Sequence, residues 1–299
     1  MTSLSRTKQD SLPPKKQDLL QHAERDQALS SDPSVLFPLI DAHIHLDSYP
    51  EEQQLAILES LSGCGVEAVV SVSMDLDSCR RNLDLARRHE SRVKPAFGYH
   101  PEQPLPTAAG ISRLFDFMES HLDEMTAVGE VGLPYYSRLE AVTEGKPWDD
   151  RPYVDLLEQF IIFAKKFHKP IVLHAVYEDA DIACNLLEKH GVTSAHFHWF
   201  KGSPETVRRM ADAGYFISFT PDLIYEPEIR DLARRYPVAQ VMTETDGPWP
   251  FEGPFEGQPT HPRMTADVAA AWAEIQGLGL AEARRILHGN AQRFYMIHP

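Results

Sequence analysis

Cysteine is nearly absent: the 299-residue chain has three, Cys64, Cys79 and Cys184, none in a CxxC pair. An odd, scattered set excludes a disulfide framework and fits a reducing setting, so a cytoplasmic protein with structural thiols is expected. No run of about 18 apolar residues occurs, which excludes a membrane-spanning helix and any membrane partner that needs one. The opening MTSLSRTKQDSLPPKKQDLL lacks an apolar stretch of signal-peptide length, which argues against secretion. Glycine and proline, at 16 and 23 residues, are too few for a fibrous repeat, and 24% charged residues are too few for a disordered chain. Positive charge is in deficit, with 29 Lys and Arg against 44 Asp and Glu and a net charge of −15. Residues 1–36 are balanced, so the remainder carries the whole excess. Such a body has no broad basic face for nucleic acid. If its substrate is a phosphate ester, local positive charge must be supplied, and bound metal cations are the obvious source.

Residues 1–36 are polar and interrupted by Pro13-Pro14 and by Ser30 to Pro33, which reads as a flexible N-terminal extension with one short amphipathic helix near Gln17–Leu29. From there on, residues 37–299 change character. Short apolar or β-branched runs at Leu39–His43, Glu67–Ser73, Lys94–Tyr99, Thr126–Val131, Ile171–His174, Ser194–His198, Tyr215–Phe219 and Gln240–Thr245 alternate with amphipathic stretches. In the clearest of these, Pro152–Phe167, apolar residues recur at i, i+3, i+4 spacing and Pro152 suits the first turn. Eight strands each followed by a helix is the arithmetic of an α/β (β/α)8 TIM barrel, which at about 250 residues would use nearly all of the chain. An open doubly wound sheet is the alternative. It would want a glycine-rich loop after the first strand, where Asp41-Ala42-His43-Ile44-His45 stands instead. Gly132–Asp150 and Gly247–Pro262 read as long loops on the active face.

Fourteen histidines make position the informative quantity. His89, His121, His168 and His190 fall near the ends of expected helices, where an imidazole suits the negative end of the dipole. Others fall at strand ends. His43 and His45 share one side of extended backbone and can meet one ion. Glu130, His174, His198 and Asp246 end the fourth, fifth, sixth and eighth strands. The carboxyl ends of the strands form the face that hosts the site in barrel enzymes. Four imidazoles and two carboxylates exceed the needs of one ion and match a pair of divalent ions sharing a carboxylate. The bland alternative, six satisfied core polar groups, requires each to find its own buried partner. His196 makes a second HxH with His198, so spacing alone leaves both in contention, with His196 the deeper.

In order, Asp41-x-His43-x-His45, Gly98-Tyr99-His100-Pro101, Gly129-Glu130-Val131-Gly132-Leu133, Leu173-His174, His198-Trp199-Phe200-Lys201-Gly202 and Glu244-Thr245-Asp246-Gly247-Pro248 resemble the motif set of the TatD-like metal-dependent hydrolases. Asn290 to Phe294 resembles that family's closing Asn-x-x-x-Phe. The resemblance covers about residues 38–299. It implies that His43, His45 and Asp246 hold one ion, that His174 and His198 hold the second, and that Glu130 bridges them. The alignment selects His198 over His196, which is left to pack or orient. The implied reaction is phosphodiester hydrolysis, typically of DNA, by a water activated on two divalent ions such as Mg, Mn or Zn. The catalytic residues are then Asp246 as general base, Glu130 as bridge, and His100 at the phosphate or the leaving oxygen. Glu244 would position a ligand.

The chain departs from that pattern twice within the barrel. Pro134 stands where the family often has Asp, and His174-Ala175-Val176 where it often has His-x-Arg. Lys201 or Arg138 is the candidate replacement for the missing arginine. An ester, lactone or amide hydrolase on the same binuclear layout is the alternative function. In those amidohydrolases a carboxylated lysine usually bridges the ions, and Glu130 at that position favours the TatD-like reading. A non-catalytic metal-bound scaffold is the third.

Overall fold

The computed structural model describes residues 36–297. The helix expected near Gln17–Leu29 and the boundary at residue 36 lie at or beyond that limit. Eight parallel strands close into a barrel in sequence order: β1 (Leu39–Ile44), β2 (Val66–Ser71), β3 (Val93–Phe97), β4 (Ala127–Gly132), β5 (Ile171–His174), β6 (Ala195–Phe197), β7 (Phe216–Phe219) and β8 (Val241–Thr243). Asp41 paired with Thr243 closes the ring. Each expected strand is present, with ends displaced by at most two residues.

Helices pack around the outside: α1 (Glu51–Ser60), α2 (Leu76–Arg88), α3 (Ala108–Ser120), α4 (Tyr135–Thr143), α5 (Arg151–Phe167), α6 (Glu178–His190), α7 (Pro204–Asp212), α8 (Pro227–Arg235), α9 (Thr265–Gln276) and α10 (Leu280–Tyr295). Their ends follow local chemistry. The Asp75 carboxylate accepts from Ser78 N at 2.8 Å and Ser203 Oγ from Thr206 N at 3.1 Å, satisfying amides that a first turn leaves free. His89, His121 and His168 stand at the C-caps of α2, α3 and α5, and His190 ends α6. Gly132–Asp150 is not the open loop its length suggests, because α4 lies within it. Pro134 precedes a run, Tyr-Tyr-Ser-Arg-Leu-Glu-Ala-Val, with no breaker, so the chain winds as soon as it leaves the strand.

Two apolar layers position the site. Outside the barrel, Phe97, Phe160, Phe197, Tyr215 and Trp272 are buried in the main core between strands and helices. Ile40, Ala42, Val70, Ala96, Val172 and Met242 form a second cluster with Phe294 and Tyr295 of α10. Each large aromatic buried here contributes several kcal/mol, about 3–5 by truncation. Asn290, on the same helix, donates through Nδ2 to the carbonyls of Val238 at 2.8 Å and Val241 at 2.7 Å, which fixes α10 to the start of β8.

Candidate metal centre

The strand ends bring His43, His45, Glu130, His174, His198 and Asp246 into one buried cluster. Glu130 lies in β4 and is fully buried. Its two oxygens face different partners. Oε2 lies 3.2 Å from His43 Nε2 and 3.1 Å from His45 Nε2. Oε1 lies 3.0 Å from His174 Nδ1 and 2.8 Å from His198 Nε2. Asp246 Oδ1 completes the first group, 3.2 Å from His43 Nε2 and 3.5 Å from His45 Nε2. The cluster therefore has two lobes joined by one carboxylate.

Local backbone explains how the ligands converge. The β1–β2 register shifts between Asp41 and Ile44, the stretch that carries His43, and such irregularities re-aim a side chain. A Cβ on Gly132 would run into the His174 carbonyl, so glycine lets β4 approach β5 where Glu130 and His174 meet. Asp246 and Trp199 hold φ of 49° and 37°, a left-handed backbone that costs a non-glycine residue of order 1–3 kcal/mol. Hydrogen bonds hold both in place: Asp246 N donates to His43 O at 2.9 Å, and Trp199 N donates to Glu244 Oε1 at 2.7 Å.

Charge is arranged to favour a cation. Burial pushes the Glu130 carboxyl up, but His100, His198 and His43 outweigh it and hold the group well below the usual carboxylate range. Burial likewise opposes ionisation of Asp246, and His43 beside it, 3.2 Å away, overrides that. His43 is driven well above the usual imidazole range, because Glu130 and Asp246 overcome burial. Among the described residues, His43 Nε2, Glu130 Oε2 and Asp246 Oδ1 are buried with no hydrogen-bond partner, although they converge within one lobe. Three such atoms pointing inward are costly unless something positive sits among them. A divalent ion taking nitrogen and carboxylate ligands fits that set, and the His174, His198 and Glu130 group offers a second.

The surrounding residues fall as follows. His100 Nε2 is 3.4 Å from Glu130 Oε1, and burial lowers its pKa, so it stands neutral beside the bridge. Asp41 accepts from Thr245 N at 3.0 Å and Thr245 Oγ1 at 2.5 Å, which ties β1 to the turn carrying Asp246. Glu244 Oε2 faces His198 Nδ1 at 3.8 Å, and burial drives this carboxyl well above its ordinary range. His196 turns inward to Tyr295 and Ser218, as a packing residue does. Neither candidate for the missing arginine is free. Arg138 is bound to Asp179 at 2.6 Å, Glu178 at 3.0 Å and Asp150 at 3.4 Å, while Lys201 faces Asp222 at 3.8 Å. Glu102 is an addition that no spacing signalled. It accepts from Tyr136 N, Ser137 N and Ser137 Oγ at the start of α4, and its Oε1 lies 3.4 Å from His174 Nε2. The only hint was its place two residues after His100.

A closed parallel barrel with a cluster of histidines and carboxylates placed for metal binding at its strand ends is the arrangement of a metal-dependent hydrolase. The chain belongs to the TatD-related DNase family, whose model matches residues 40–296. An uncharacterized metal-dependent hydrolase of Haemophilus influenzae is 36% identical over 259 residues, covering 87% of this chain and all of the relative. Deoxyribonuclease TATDN3 of Homo sapiens is 27% identical over 265 residues, 86% of this chain and 94% of that one. The crystal structure of the TatD homologue YjjV of Escherichia coli superposes with a TM-score of 0.74 at 25% identity, covering 87% of this chain and 98% of that one.

Proposed function

We propose that the protein is a deoxyribonuclease-type phosphodiesterase that works with two divalent ions, Mg, Mn or Zn. The observation that carries this reading is the division of Glu130, with Oε2 turned to His43 and His45 and Oε1 turned to His174 and His198. His43, His45 and Asp246 would hold one ion, His174 and His198 the other, and Glu130 both. That ligand set would let bound ions supply Lewis acidity toward a phosphoryl oxygen and lower the pKa of a bound water. Asp246, kept ionised by His43, accepts the proton of the attacking water. His100, neutral and beside the bridge, donates a hydrogen bond to the phosphate or to the departing oxygen. Glu244 and Asp41 keep ligands in place through Trp199 and Thr245.

DNA is the favoured substrate because the family and the human relative are named for its hydrolysis. The three free thiols support a cytoplasmic setting, and no helix among the described residues is long and apolar enough to cross a membrane. A metal-by-substrate panel tests the reading: single- and double-stranded DNA, RNA, simple phosphodiesters, lactones and dipeptides, each with Mg, Mn and Zn. Hydrolysis of the phosphodiesters is expected. Activity confined to lactones and dipeptides would replace this reading with the ester and amide one.

A further inference from the structure

The cleft above the cluster has a volume of about 740 Å³, inside the roughly 300–1,000 Å³ of sites that hold small organic ligands. Its walls are apolar and aromatic, with Tyr136, Val176, Trp199, Pro248, Trp249 and Pro250 among them. Among the described residues no lysine or arginine lines it, whereas Glu102 and Glu140 do. Arg138 and Lys201, close by in the chain, are already held by Asp179 and Asp222. The walls thus offer nothing to neutralise a row of backbone phosphates, and a net charge of −15 repels one.

They offer instead two exposed aromatic faces, one beside each lobe. Trp249 is 59% exposed and follows Asp246 closely, its backbone N–H donating to the Asp246 carbonyl at 3.1 Å. Trp199 backs it at a centroid distance of 6.1 Å, ring planes 70° apart. Tyr136 is 51% exposed, with its ring 6.0 Å from the His174 imidazole. Asp246 belongs to the lobe of His43 and His45, and His174 to the lobe of His198. A phosphodiester centred on Glu130 has two flanking groups, and each has its own aromatic neighbour.

We propose that Trp249 and Tyr136 are base platforms, and that the substrate is a short single-stranded phosphodiester gripped at one phosphate and by a flat base on either side. This rests on the phosphodiesterase reading above. Aromatic side chains accept any base, because every base has a π-face. A duplex offers no such face, since its bases are stacked and paired. Recognition ends where the aromatic walls end, so chain length beyond a dinucleotide adds little.

The test uses the metal-loaded full chain with dithymidine monophosphate, its doubly abasic counterpart and a thymidine 20-mer, at about 50 and 200 mM salt. Trp249→Ala and Tyr136→Ala should each lower the kcat/KM preference for the dinucleotide over its abasic counterpart about tenfold, and Trp249→Phe should restore most of it. A methylphosphonate dinucleotide, which is not cleaved, should quench tryptophan fluorescence in the wild type and several-fold less in Trp249→Ala, where Trp199 alone remains in the wall. KM for the 20-mer should stay within about threefold of the dinucleotide and barely move with salt, whereas each phosphate gripped by a side-chain cation would add about −0.7 to the log–log slope. Unchanged preference in both variants, absence of quenching, or a 20-mer KM that drops tenfold and climbs steeply with salt overturns the platforms. Loss in one variant alone overturns the two-sided arrangement. If the wild type cleaves neither the dinucleotide nor the 20-mer, the phosphodiesterase reading falls with them.

Discussion

His43 and His198 lie face to face, their rings 7° from parallel with centroids 3.8 Å apart. One belongs to each lobe, and two stacked, buried imidazoles resist carrying two protons. Burial, reinforced by His43, holds His198 down at about 4. Glu130 and Asp246 hold His43 well above its ordinary range. His198 is therefore uncharged, while His43 carries a proton that a cation has to displace.

Metal binding should accordingly release protons and tighten as pH rises. His174 points the same way: hydrogen bonds to Glu102 and Glu130 outweigh burial and lift it to about 9. A raised imidazole stabilises the metal-free fold fully below the unfolded histidine value of about 6.5, and that contribution fades as pH climbs through about 9. Metal ligation replaces it there. Titration calorimetry in two buffers of different ionisation enthalpy, between about pH 6 and 9, should show proton release and rising affinity; affinity that falls with pH would contradict the assignment.

Replacing Glu130 by Gln removes one of the two anionic oxygens that join the lobes. Hydrolysis should fall more than about 100-fold, since changes to outer partners alone cost 10–100-fold, while far-UV circular dichroism stays native. Full activity in E130Q would show that the two lobes do not work through this carboxylate.

Glu244→Gln leaves every proposed ligand in place but weakens the acceptor that fixes Trp199 N and faces His198 Nδ1. Metal affinity should drop about 10–100-fold. Equilibrium dialysis measures it, and an unchanged affinity would reduce Glu244 to a packing residue.

The barrel was legible because each strand is a short apolar run and its ends carry chemistry. His43, His45, Glu130, His174 and His198 stand within two residues of a strand's carboxyl end and Asp246 three residues past one, so topology alone brings them together. What escaped depended on contacts between distant segments. Glu102 reaches His174 only because α4 forms inside a stretch that reads as loop, offering its first amides to that carboxylate. Arg138 was a candidate for the phosphate, and three acidic groups from elsewhere in the chain claim it. Spacing carries no record of such pairings.

Asn290→Ala separates the stability of the scaffold from the chemistry. It strips the donors from two carbonyls near the start of β8, at 2.8 and 2.7 Å. Chemical denaturation should register a loss of about 1–3 kcal/mol. Metal content should be untouched, because Asn290 makes no contact with the cluster; loss of metal without loss of stability would be the opposite result.

The most direct measurement is the number of ions per chain. Elemental analysis of protein saturated with Mn or Zn and then desalted, paired with titration calorimetry of chelator-treated protein, should give two divalent ions per polypeptide, falling to one or none in Glu130→Ala. A wild-type protein that binds no ion, and gains no thermal stability from Mg, Mn or Zn, would contradict the account at its root.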